Sequence, residues 1–204
     1  GFAISTLVQA GGMQGIKSGG LATGASVSGT QVVSSGGRAG GATIASGGLQ
    51  SVSGSATLTT IQAGGSQSVL SGGSAIGAVV NGVQSIAVGA AVAGGAIASG
   101  GLQSVAGAVT SSTVQVGGVQ AVLSGGNAYS TTVHGTQKVL SGGSDINALI
   151  SVGGVQNISA GGLSTNALVS GTQNLLSGAS AVAAQIYGSG LQSIALSASA
   201  FGTV

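Results

Sequence analysis

One set of glutamines recurs along the whole chain, at Gln14, Gln31, Gln50, Gln67, Gln84, Gln103, Gln120, Gln137, Gln156, Gln173 and Gln192. The gaps between them are 17, 19, 17, 17, 19, 17, 17, 19, 17 and 19 residues. A period this short and this persistent marks a stacked repeat, because so small a unit cannot bury its own apolar face. Three gaps close a longer cycle of 53 residues, giving blocks 18–70, 71–123 and 124–176 with partial units 1–17 and 177–204. The stretch ASGGLQSV stands unchanged at 45–52 and 98–105. The final step is 19 where the cycle predicts 17, so the phase breaks near the C-terminus. Residues 1–204 therefore read as a single repeat domain.

Stacking the units exposes two apolar columns. Two residues after each ruler glutamine stand Ile16, Val33, Val52, Val69, Ile86, Val105, Val122, Val139, Ile158, Leu175 and Ile194. The second column is Val8, Val27, Ile44, Ile61, Val80, Ile97, Val114, Val133, Ile150, Val169 and Ile186. Of these 22 positions, 21 are β-branched, which favours extended backbone on a pleated surface. Gly pairs such as Gly47-Gly48, Gly100-Gly101 and Gly153-Gly154 precede the Gln strand and read as corners. Each unit is thus expected to run strand, corner, strand, corner. Helix is disfavoured, since Gly inside a helix costs about 1 kcal/mol against Ala.

The fold expected is all-β: a single-stranded parallel β-helix (β-solenoid) of about 11 coils of 17–19 residues. Crossover chirality predicts a right-handed coil. Small residues such as Ala42, Thr59 and Ala78 suit its narrow interior. In a strand, Gln103 shares a face with Val105, so the glutamines either stack inward as an amide ladder or sit at corners. A ligand-binding Gln row is the weaker reading, because buried polar groups are generally partnered. Between Gln and the first apolar column lie Gly15, Val32, Ser51, Ser68, Ser85, Ser104, Ala121, Lys138, Asn157, Asn174 and Ser193, read as solvent-facing.

Charge now decides what such a rod can do. Lys17, Arg38, Lys138 and Asp145 are the charged side chains of 204 residues, with one His and no Cys, Pro or Trp. No catalytic residue, metal ligand or cofactor site is expected, because general acid–base and metal chemistry need several such groups brought together. His134 aligns with Ser28 and Asn81 beside a glycine, which argues for a solvated turn. Asp145 takes the place of Ala39 and Val92; a triad built on these two is disfavoured. Lys138 and Asp145 fall in adjacent coils and would form at most a weak exposed pair.

Three scattered bases cannot neutralise the phosphates of a nucleic acid. Mean hydropathy is high, yet the longest apolar run, 86–98 (IAVGAAVAGGAIA), is Gly-rich and shorter than the roughly 20 residues of a spanning helix, so no transmembrane span is expected. Asn157 to Ser159 forms an N-glycosylation sequon on a weak three-residue pattern. A possible ice-binding row, Leu7, Ser26, Thr43, Thr60, Val79, Ala96, Thr113, Thr132 and Leu149, is interrupted too often.

The unit SGG-x-A-x-x-x-x-V-x-x-GG-x-Q-x-V occurs as SGGRAGGATIASGGLQSV (35–52) and SGGSDINALISVGGVQNI (141–158). It resembles the AIDA-type repeat of self-associating bacterial autotransporter adhesins, and the resemblance covers essentially all 204 residues. The resemblance implies a secreted passenger forming a parallel β-helix at the bacterial cell surface. It implies adhesion to host-cell or matrix surfaces, cell–cell aggregation and biofilm formation, without enzymatic activity. Such passengers are in some cases O-glycosylated on Ser/Thr by dedicated heptosyltransferases, which names a glycosyltransferase as a partner and a glycosylated scaffold as a further reading. The chain carries fewer Asn, Asp and Thr than these passengers usually do, and it contains neither a signal peptide nor a translocator barrel. The alternative geometry is a filament or matrix subunit that polymerises head to tail. Residues 1–17 already match a repeat and 196–204 (LSASAFGTV) read as the start of another, which would leave strand edges to template association.

Overall fold

The computed structural model describes residues 1–204 as a parallel β-solenoid with no helix. Its strands form three parallel sheets of 12, 11 and 11 members. Each coil contributes one strand to each sheet, so the cross-section has three sides. A typical coil runs through Leu21–Thr23, Ser26–Val27 and Thr30–Val33 before returning at Arg38–Gly40. Coil stacks on coil in register: Gln84 pairs with Gln67 on one side and Gln103 on the other.

The expected two-strand unit is therefore corrected to three. The additional strand is the three-residue one, centred on Ala22, Ala39, Ala56, Ala75, Val92, Val109 and Ala128. Its inward residue is usually Ala, too small to register as an apolar column beside Val and Ile. The side of the triangle facing it carries the four-residue Gln strand, and the third side carries a two-residue strand holding the second Val/Ile column.

Corner lengths account for the two spacings. The corner after the three-residue strand always has two residues, such as 24–25. Each of the other two corners has either two residues, as at 28–29 and 53–54, or four, as at 45–48 and 34–37. A coil with one short corner gives a step of 17, and a coil with none gives 19. The phase break begins one coil earlier than the spacings alone suggest. After Ile158 the cycle calls for a two-residue corner, but residues 159–162 form a four-residue one. The next corner, 170–171, is short and restores the step to 17, which hides the change.

Two glycine positions show why these corners need that residue. Gly36 has φ of 74°, and a Cβ there would meet the Ser18 hydroxyl of the preceding coil at 2.5 Å. In a short corner, a Cβ on Gly54 would collide with the Ser34 and Gly37 carbonyl oxygens of the coil beneath. Stacking thus compresses backbone on backbone at the edges, and glycine is what permits it.

The interior is filled by the two columns read from the sequence. Val33, Val52, Val69, Val105, Val122 and Val139 are fully buried, as are Ile44, Ile61, Val114 and Val133, with Ile86, Ile97 and Val80 nearly so. Ile194, in the last complete coil, is half exposed. Ala42, Thr59 and Ala78 occupy the buried second position of the two-residue corner.

An amide ladder, a buried carboxyl and a charge-poor surface

Each ruler glutamine lies in a strand beside an inward Val or Ile, and the parallel register brings successive amides within reach along the axis. Gln31 Nε2 donates to Gln14 Oε1 at 2.7 Å, and Gln50 Nε2 to Gln31 Oε1 at 2.6 Å. The same bond links Gln67 to Gln50, Gln84 to Gln67, Gln103 to Gln84, Gln120 to Gln103 and Gln137 to Gln120. It continues from Gln156 to Gln137, Gln173 to Gln156 and Gln192 to Gln173. Every Nε2 points toward the N-terminal end and every Oε1 toward the C-terminal end. Gln31 through Gln173 are buried, while Gln14 and Gln192 are half-buried. An interior amide in the ladder trades its water partners for protein ones, which removes the main cost of burying it.

Each amide nitrogen carries a second hydrogen that the neighbouring rung does not take up. Where the facing column is Ala or Val, it offers no acceptor. Two positions break that rule. Asp145 Oδ1 accepts from Gln137 Nε2 at 2.9 Å, and its Oδ2 from Gln156 Nε2 at 2.8 Å. Ser164 Oγ, one coil on, accepts from Gln173 Nε2 at 3.3 Å. Asp145 is fully buried, and that burial raises its carboxyl to about 6, with the Gln137 and Gln156 hydrogen bonds pulling the other way.

The exposed Lys138–Asp145 pair is corrected by this placement. Lys138 points outward from the Gln sheet, while Asp145 points inward from the opposite one. His134 sits exposed at the short corner 134–135, so it and Asp145 are not brought together. The signal for Asp145 was its alignment with Ala39 and Val92, both core residues. No helix of the chain is long and apolar enough to cross a membrane.

With its only carboxylate side chain buried, the outer surface carries just Lys17, Arg38 and Lys138 as charged side chains. The rest is mostly Gly, Ser, Thr, Asn and Gln with partly exposed apolar residues. Leu49, Val83, Leu102 and Leu191 begin Gln strands and face out. Leu7, Val79, Leu149 and Leu168 do so on the two-residue sheet. Leu7, Val79 and Leu149 belong to the interrupted row; the others were not singled out from the sequence. At the four-residue corners, Ser18, Ser35, Ser46, Ser71, Ser99, Ser124, Ser141 and Ser177 are exposed, each followed by a glycine with positive φ. Asn174 Nδ2 donates to Asn157 Oδ1 at 2.9 Å on the outer face, a single axial bond between two neighbouring coils.

No family model matches the chain, and no curated protein matches it. Among solved structures, it is similar to the crystal structure of a hyper-glycosylated TibA fragment, residues 55–350, whose glycosylation is TibC-catalysed. The TM-score is 0.87 and the identity 35 %, over 100 % of this chain and 85 % of that one. The similarity thus runs through every coil.

Proposed function

This chain belongs to the same family of parallel β-solenoids as the TibA fragment, and from that kinship we propose that it is the passenger region of a bacterial autotransporter adhesin, exposed on the cell surface or secreted. It acts without enzymatic chemistry, as a rigid stalk whose faces associate with one another and with other surfaces, driving aggregation and biofilm formation. The full-length correspondence with that fragment carries this reading. The outer surface supports it: three isolated cations and no exposed carboxylate side chain produce little long-range repulsion between copies. Contact would rest on hydroxyl and amide hydrogen bonds and on exposed aliphatic residues such as Leu49, Leu102 and Leu149.

Displaying the chain on non-aggregating bacteria and following settling tests the proposal. Faster settling is expected, and Leu49→Lys with Leu102→Lys should slow it. Settling no faster than with an unrelated neutral solenoid of equal length would overturn the reading.

A second reading adds glycosylation. The exposed corner serines, such as Ser35 and Ser141, favour it, together with the TibC-catalysed modification of the TibA fragment. Co-expression with TibC is expected to add sugar mass at corner serines and none at buried Ser164; an unmodified chain would count against it.

A further inference from the structure

Most of the core is electrically silent, and one place is not. Asp145 is the only acidic side chain of the chain, and it stands fully buried in a column otherwise filled by Ala, Val and Ser. Its two oxygens bridge two consecutive rungs of the amide ladder, Gln137 and Gln156. Its neighbours along the column are Ala128 and Ser164, and the ladder residues opposite are uncharged amides. The titratable groups nearest in sequence lie elsewhere: Tyr129 alternates outward from Ala128, Lys138 faces solvent, and His134 is exposed at its corner. No cation faces the carboxyl from any side. An ionised Asp145 is held by two amide N–H donors and no cation; protonation gives up one of those two acceptor sites but removes the buried charge, whose desolvation is the larger effect.

We propose that Asp145 is a proton-operated joint in the rod, tightening the coils around residues 127–165 when it is neutral and loosening them when it ionises. The joint is independent of what the outer faces bind. Its direction follows from linkage. Burial raises the folded carboxyl from 3.8 to about 6. The stabilisation is fully present below 3.8 and is lost as pH rises through about 6. Across that window the opening equilibrium of these coils increases on the order of a hundred-fold. Acid surroundings thus stiffen this segment, and neutral surroundings loosen it.

Two measurements on the whole chain test this. Asp145 is the only side-chain carboxyl of the sequence, so the part of the protonated carboxylic acid infrared band that Asp145→Ala removes reports on it. A band that disappears with a midpoint near pH 6 is expected, and Asp145→Ala should remove it. A midpoint in the ordinary carboxylate range, near 4, would overturn the proposal. Amide hydrogen exchange, normalised for the intrinsic pH dependence, provides the second. Peptides within 127–165 should open far more readily at pH 7 than at pH 4, with no such change in Asp145→Ala. That variant should fold, because Ala occupies the same column at positions 39, 56 and 128. Equal pH dependence in both proteins, or none in the parent, would refute the joint.

Discussion

Removing one rung of the amide ladder should cost as much as removing two adjacent rungs. Gln103 donates to Gln84 at 2.6 Å and accepts from Gln120 at 2.7 Å, with all three buried. Gln103→Leu keeps the volume but strands two atoms, Gln84 Oε1 and Gln120 Nε2. Each orphaned buried group costs about 1–3 kcal/mol, so the single variant should lose about 2–6 kcal/mol. Gln84→Leu strands Gln67 Oε1 and Gln103 Nε2, for a similar loss. The double variant strands only Gln67 Oε1 and Gln120 Nε2. It should therefore lose about 2–6 kcal/mol as well, where additive behaviour would give twice that. The coupling would be measured by urea denaturation followed by circular dichroism, with exchange in coils 66–105 as a local check. Losses that simply add would refute the idea that the amides act as one chain. The terminal rung offers a control: Gln14→Leu strands only Gln31 Nε2, at a half-buried end, and should cost less than either.

Other consequences concern the core, the corners and the one charge. Val105→Asp places an unpaired carboxylate in a fully buried column and should abolish cooperative unfolding, whereas Ser104→Asp, facing out, should shift stability by no more than about 0.5 kcal/mol. Gly82→Ala would drive a methyl group into the Gln62 and Gly65 carbonyl oxygens, so a loss of at least about 2 kcal/mol is expected in the same denaturation assay. Thr131 Oγ1 is buried without a partner, and Thr131→Val should stabilise the chain by about 1 kcal/mol, seen as a raised melting temperature. The parent should lose about 3 kcal/mol of stability between pH 4 and pH 7 that Asp145→Ala does not lose, because burial penalises only the ionised form.

The architecture was legible because a solenoid writes its geometry into its period. Stacked coils place equivalent residues at one axial spacing, so Val105 and Gln103 recur wherever their environment recurs, and the unit length reports the circumference. Inward and outward positions of the Gln strand followed from the alternation of a pleated strand. The charge-poor outer surface was visible as composition, although its functional meaning depended on knowing that it was a surface.

Other features existed only in three dimensions. The third strand escaped notice because its inward residue is Ala, which fills the narrow core without looking apolar beside Val and Ile. The phase break after Ile158 was hidden because exchanging a short corner for a long one on two sides of a triangle leaves the step unchanged. Asp145 looked like a surface partner for Lys138, since charge argues for solvent and a spacing of seven residues cannot say which side of a coil faces in. The sequence by itself determined that the chain coils, how large each coil is and which residues line its columns. Only the tertiary structure decided that the amides form one directional chain and that its single carboxyl bridges two of them. That division is physical: repetition along the axis is recorded in sequence spacing, while contacts across the core join strands whose separation varies with the corners between them.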